Sequence, residues 1–202
     1  MNAQEIIDAT VRIAEGGQGV LVEGNVILTA AHCINGSTEN AGISNGGLIV
    51  EVETTKGKLL TSLIAIEPIC DIAALGPPGN QVGPKECLAY REFCEETKQV
   101  EICTDEYELF ETIPITIRSH RSTWINGLAH QDQPYANRLV VIVNGQVERG
   151  TSGGPILNEF FELVGLVSFF SDNGDECDGL APRPHLALPN WLVREMSHKD
   201  GL

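Results

Sequence analysis

Basic side chains are scarce: 13 Lys and Arg stand against 28 Asp and Glu, a formal net charge of −15 over 202 residues. A phosphate backbone would be repelled by such a surface, so nucleic acid is not an expected partner. Long apolar runs are missing too. No stretch approaches the roughly 18 apolar residues of a spanning helix, and the opening MNAQEIIDATVRIAEGGQGV carries acids and lacks the apolar core of a secretory leader. No membrane partner is expected, and the cytoplasm is the expected compartment. Repeats and low-complexity tracts are also lacking. Metal-binding spacing is absent as well: Cys87, Cys94 and Cys103 are seven and nine residues apart with no histidine close in sequence. No metal or organic cofactor is expected.

What is present suits a turn-rich β protein. The chain is 42% hydrophobic and 20% charged, with 21 glycines and 10 prolines, a composition close to that of ordinary globular domains. Its length suffices to bury a core without staples. The six cysteines, at 33, 70, 87, 94, 103 and 177, allow three disulfides by parity. Free, mostly buried thiols are the plainer reading. The acidic excess concentrates in 91–111, with eight Asp/Glu against Arg91 and Lys98. A solvated surface is the ordinary reading, and a docking face for a basic partner is the alternative.

Short apolar or alternating runs punctuated by turn residues read as strands at 19–23, 25–29, 47–54, 58–67 and 71–76. After the turn-rich segment 76–86 they resume at 98–104, 112–119, 138–143, 154–158 and 162–170. Two groups of strands separated by a loop predict two packed barrels or a sandwich. Helical signals are scarce until LPNWLVREM, 188–196, where Trp191 and Leu192 share a helical face with Met196. A terminal helix docked on the second lobe is expected.

Three residues carry the chemistry. GTSGGP alone could be a flexible turn, His32 in LTAAHCI a structural histidine, and Asp71 in ICDIAAL the opening of a strand. Together they supply what acyl transfer requires: a hydroxyl nucleophile, a base to take its proton, and a carboxylate to fix the base's tautomer. Ser152 also sits among glycines that let backbone N–H groups face an oxyanion.

Through LTAAHC (28–33), DIAAL (71–75) and GTSGGP (150–155), the chain resembles the trypsin/chymotrypsin-like serine peptidase superfamily over nearly its whole length. The closing HLALPNWLV (185–193) and the hairpin GQGVLVEGNVILTAAHC are similar to the HtrA-like branch, without a PDZ-like segment after residue 202. The resemblance implies an all-β fold of two packed six-stranded antiparallel barrels with a C-terminal helix. The N-terminal barrel is expected over about 1–85, the C-terminal barrel over about 95–188, and the helix over about 189–198, all within one peptidase domain. His32 is implied as general base and then acid, Asp71 as its orienter, Ser152 as nucleophile, and the backbone N–H groups of Gly150 and Ser152 as the oxyanion hole.

Departures from that pattern shape the expectations. Secreted relatives pair the cysteine after the histidine with one upstream, and here no cysteine precedes Cys33; a reducing compartment follows, with Cys33 as a small apolar filler. Thr151 stands where zymogen-type members carry the aspartate that pairs with a newly cut amino terminus, so activation by that salt bridge is not expected. For substrate binding, Gln146 is expected at the base of the specificity pocket, Ser168, Phe169 and Phe170 along the edge that pairs with substrate backbone, and His185 near the pocket wall. The ring of Phe170 at the mouth predicts small or medium apolar residues at the cleavage position. The acidic run 171–178 reads as a solvated loop.

The function expected is therefore a serine endopeptidase acting on protein or peptide through an acyl-enzyme. The alternative is a catalytically silent or partner-activated trypsin-fold module, in which a regulatory protein docks, for instance on the acidic 91–111 surface, and orders the oxyanion loop. A general esterase uses the same triad.

Overall fold

A computed structural model describes residues 1–14, 16–34, 48–79, 82–133, 136–172 and 176–197. The chain starts in a short helix, α1 (Ala3–Ala9), that the scarcity of helical signals did not predict. Its signature is nevertheless in the sequence: Asn2 caps the Glu5 N–H while the Glu5 carboxylate accepts from the Asn2 N–H, a reciprocal capping box. Ile6 and Ala9 are its buried face.

Six strands then close a barrel: β1 (Thr10–Ile13), β2 (Gln18–Val22), β3 (Val26–Thr29), β4 (Ile49–Thr54), β5 (Gly57–Glu67) and β6 (Ile72–Gly76), in spatial order β1-β2-β3-β6-β5-β4. In β2, β3 and β6 every residue is buried. These strands face the barrel interior on one side and other elements on the other, and so read as unbroken apolar runs rather than alternating ones. β4 does alternate, with Val50 and Val52 inward.

The next element, a helix running from the end of the turn-rich segment 76–86 into the acidic 91–111, was not expected. α2 (Pro84–Glu96) begins with proline in its first turn, where the missing N–H costs nothing. It buries only Tyr90, Phe93 and Cys94 against the first barrel, and the Tyr90 hydroxyl donates to the Asn25 carbonyl at 2.7 Å. Three apolar positions in thirteen residues make a thin stripe, and the acids around it are its solvent face.

The run 98–104 is not a full strand but a seam between lobes. Val100 forms a parallel bridge to Val22 of the first barrel and Ile102 one to Leu163 of the second lobe. The chain thus ties itself to both lobes within three residues.

The second lobe comprises β7 (Thr112–Arg118), β8 (Trp124–His130), β9 (Arg138–Asn144), β10 (Pro155–Leu157), β11 (Leu163–Leu166), β12 (Phe169–Asp172) and β13 (Glu176–Pro182), ordered β11-β10-β7-β8-β9-β13-β12. It has seven strands rather than six. Its two outermost strands, β11 and β12, are joined by residues 167 and 168 alone. A sheet whose opposite edges are linked by two residues must curl until those edges are neighbours, and Gly165 of β11 indeed abuts Ala181 of β13. Strands β1, β8 and β13 lack strong apolar runs and were not expected. The single run 162–170 divides where the chain crosses from one edge to the other.

Two short helices end the described chain, α3 (Pro184–Ala187) and α4 (Asn190–Ser197). α4 does not rest on the second lobe alone. Its Leu192 is fully buried in the apolar cluster that holds the first barrel's core together with Leu163 and Leu166 of β11. None of the six cysteines is in a disulfide, and five of them are buried. Among the described residues no helix is long and apolar enough to cross a membrane. The acidic loop expected at 171–178 lies partly, at 173–175, outside the described residues.

Candidate active site

β3 ends at Thr29 and a single helical turn, Ala31–Cys33, follows, placing the His32 side chain half-exposed at the barrel rim. Asp71 immediately precedes β6 in a left-handed conformation, φ +59°. That conformation is uncommon for a residue with a side chain, and aspartate tolerates it better than most. Its carboxylate grips one residue twice. Oδ1 accepts from the His32 backbone N–H at 2.9 Å, and Oδ2 lies 2.7 Å from the ring Nδ1. With Nδ1–H directed at the carboxylate, Nε2 is left as the ring's basic nitrogen.

The Ser168 hydroxyl, in the link between β11 and β12, donates to the same Asp71 Oδ2 at 2.5 Å. Sequence reasoning put Ser168 on the substrate edge and missed this contact, because nothing in the sequence says which way a hydroxyl at a strand crossover points. Electrostatics follow from these bonds. Burial pushes the Asp71 carboxyl up, but the bonds from the His32 ring, Ser168 and the His32 N–H together hold it below its ordinary 3.8. The carboxylate in turn raises His32 well above 6.5, with a smaller contribution from Cys33.

Ser152 lies in the loop between β9 and β10, which is stitched to the first barrel. The Gln18 N–H donates to the Ser152 carbonyl at 2.7 Å, the Thr29 hydroxyl donates to the Gln18 carbonyl at 2.6 Å, and the Cys33 thiol lies 3.6 Å from the Ser152 carbonyl oxygen. Two glycines make this approach possible. Gly153, at φ +78°, has no room for a Cβ between the Gln18 carbonyl and the Thr29 hydroxyl. Gly17, at φ +93°, faces Cys33 Sγ so closely that a Cβ there would collide with it. Cys33 thus packs against a glycine and the loop that carries Ser152.

Within the loop, the N–H groups of Thr151, Gly153 and Gly154 are spent on the carbonyls of Glu148, Val167 and Thr151. Among the described residues those of Gly150 and Ser152 make no hydrogen bond. Thr151 is fully buried, and its hydroxyl accepts from the His120 N–H at 3.1 Å. It holds the loop where an aspartate was missing from the sequence. Among the described residues no hydrogen bond joins the Ser152 hydroxyl to the His32 ring; such bonds commonly close only around substrate.

The other expected substrate contacts disperse. Phe169 and Phe170 lie on β12, an edge strand bonded on one side only, to β13. Phe169 is exposed, whereas Phe170 lays its ring over Gly179 and joins the second core. Gln146 lines a cavity with Arg12, His120, Arg121, Glu148 and Arg149. His185 is not brought to the cluster. It lines a separate cavity with Tyr107, Gln131 and Arg183, and burial followed by the Arg183 charge lowers its pKa to about 4, so it is neutral near pH 7. As for metals, Cys103, Asp105 and Glu162 converge within 4.8 Å. Burial raises the Cys103 pKa and outweighs the opposing effect of the Tyr107 hydroxyl 3.1 Å from its sulfur, so the thiolate a metal would need is disfavoured.

Comparison with known proteins agrees with this architecture. A family profile described as a trypsin-like peptidase domain matches residues 17–166. No curated protein matches. Among solved structures, the active form of the Rv3671c protease from M. tuberculosis is similar with a TM-score of 0.62 at 13% identity, over 98% of this chain and 85% of that one. The serine endoprotease from Yersinia pestis gives 0.60 at 17% identity, over 96% and 67%. A human pathogenic astrovirus serine protease gives 0.53 at 18%, over 91% and 94%. At these identities the likeness concerns the fold.

Proposed function

The chain belongs to the trypsin-like peptidase domain family, and on that premise we propose that it is a serine endopeptidase whose triad is Ser152, His32 and Asp71. Ser152 Oγ attacks the scissile carbonyl and gives its proton to His32 Nε2. The tetrahedral oxyanion is held by the N–H groups of Gly150 and Ser152. His32 then protonates the leaving amine; water, giving its proton to His32, attacks the acyl carbonyl, and His32 returns that proton to Ser152 Oγ as the acid product leaves. Asp71 keeps the proton on Nδ1 and stabilises the imidazolium, and Ser168 keeps Asp71 in place. The free edge of β12, with Phe169 and Phe170, pairs with substrate backbone. With Phe170 folded onto Gly179, small or medium apolar residues are favoured at the cleavage position.

The single observation that supports this reading best is the Asp71 carboxylate, bonded at once to the His32 ring, the His32 backbone and Ser168. Thr151 supports activity without a newly cut amino terminus. Six cysteines without a disulfide among them support a reducing compartment such as the cytoplasm. Hydrolysis of a randomised peptide library, read by mass spectrometry of the fragments, tests the proposal. Wild-type protein is expected to cut internal bonds after small or medium apolar residues, and Ser152→Ala is expected to cut none. Fragments at equal rates from both proteins would refute it.

One observation favours a second reading, a peptidase activated by a partner: the unclosed link between Ser152 and His32. In that case cleavage appears only when cell extract is added.

A further inference from the structure

Three buried, unpartnered polar atoms outside the triad belong to residues that line one cavity. Among the described residues, Gln18 Oε1, Arg118 Nε and His120 Nδ1 are shielded from solvent and have no hydrogen-bond partner. All three residues line a cavity of about 250 Å³ between the lobes, walled also by Thr10 and Arg12 of β1 and Glu53 of β4. Gln18 is 1% exposed. Buried polar groups in folded proteins are nearly always paired, so three orphans on residues lining one space mark it as a place where a ligand would satisfy them once their side chains turn toward it.

Their chemistry is specific. An arginine Nε–H can only donate, His120 Nδ1 donates when protonated, and Gln18 Oε1 can only accept. Two donors beside an acceptor complement a carboxylate next to an amide N–H, which a peptide carries and an inorganic anion does not. The charge around the site agrees. This acidic chain places four of its eight arginines, Arg12, Arg118, Arg121 and Arg149, in this cavity or in the adjoining one across His120. Of the acids there, Glu148 is already held by Arg121 at 3.0 Å.

We propose that this cavity binds the carboxylate of a peptide and thereby steadies the oxyanion loop. On binding, the Arg118 and His120 side chains turn to take the carboxylate, and Gln18 Oε1 turns to take a neighbouring peptide N–H. The connection to the loop is direct. The Gln18 side chain donates to the Gly150 carbonyl at 3.4 Å and its backbone to Ser152, while the His120 N–H holds Thr151 and the His120 ring lies against Gly150. Binding stands independently of the peptidase reading; only the steadying effect rests on it.

Calorimetric titration of the full chain carrying Ser152→Ala tests binding without turnover. The probes are five-residue alanine-based peptides in three forms: with a free carboxyl terminus, amidated with a central glutamate, and amidated without one. At least one carboxylate-bearing form is expected to bind at least about tenfold more tightly than the uncharged one, and the form that binds identifies the source as a chain terminus or an acidic side chain. Arg118→Gln and the exposed Arg12→Gln each weaken binding about tenfold, whereas Arg91→Gln on α2 leaves it unchanged. No binding up to about 1 mM, equal binding of the uncharged form, or indifference to both cavity variants would overturn the proposal. Saturating peptide is also expected to speed fluorophosphonate labelling of the wild type. Labelling that proceeds at an unchanged rate would overturn the steadying effect, while carboxylate-dependent binding to a protein that never labels would uphold the site and refute the peptidase reading.

Discussion

Asp71 spends an unfavourable backbone conformation to direct one carboxylate at three donors, and strain of this kind persists where the surroundings fix it. Replacing it by asparagine keeps the shape but lets the amide dictate the wrong imidazole tautomer. A loss of about 10⁴ in kcat is expected for Asp71→Asn, measured on the best peptide of the library. The raised pKa of His32 sets the pH dependence. Catalysis needs the neutral ring, so kcat/KM climbs as pH rises through a value above 6.5. In Asp71→Asn the residual activity should climb at lower pH, because the main cause of the raised value is gone. A wild-type limb at or below 6.5 would contradict the pairing. Folding linkage has the same sign: the raised His32 pKa contributes stability below 6.5 that fades as pH climbs through the folded value. Ser168→Ala removes one bond to a charged acceptor and is expected to lower kcat about ten- to hundredfold with KM little changed. The pairing of His32 with Asp71 was legible in the sequence, because short motifs fix residue type and order. The role of Ser168 was not, since its hydroxyl reaches a residue 97 positions away only after the second sheet has curled.

Elements separate into those whose faces carry a pattern and those that borrow stability from neighbours. β2, β3, β6 and β9 were legible as apolar runs. β8 was not: WINGLAH places polar and small residues among its apolar ones, and its strand state comes from pairing with β7 and β9 on either side. α2 stayed hidden because a helix held by three side chains has a weak amphipathic signal. Under the proposed mechanism the loop that carries Ser152 is the element whose conformation matters most, and Thr151 anchors it. Thr151→Val strands the His120 N–H without its acceptor and is expected to cost about 1–3 kcal/mol, read as a lower midpoint in denaturant together with slower labelling. Thr151→Ser should restore both. Phe170→Gly clears the ring from Gly179 and is expected to shift library cleavage toward larger residues; an unchanged preference would show that Phe170 does not shape the pocket.

For the whole molecule, the decisive arrangement is two lobes meeting at a seam with the proposed triad divided between them, His32 and Asp71 at the rim of the closed barrel and Ser152 in a loop of the curled sheet. The number of lobes was legible from the two groups of strands. The means by which the second lobe closes was not, because it depends on edge strands adjacent in sequence and on opposite ends of the sheet. The seam relies on a few contacts, Gln18 with Ser152 and residues 100–102 with both lobes, so a ligand between the lobes can reach the catalytic loop. The central claim is that these parts converge on a reactive serine. Incubation with a fluorophosphonate, followed by peptide mapping, tests it most directly. A single adduct on Ser152, absent in Ser152→Ala and strongly slowed in Asp71→Asn, is the result the account predicts; no adduct on Ser152 in wild-type protein, alone or with cell extract, would contradict it.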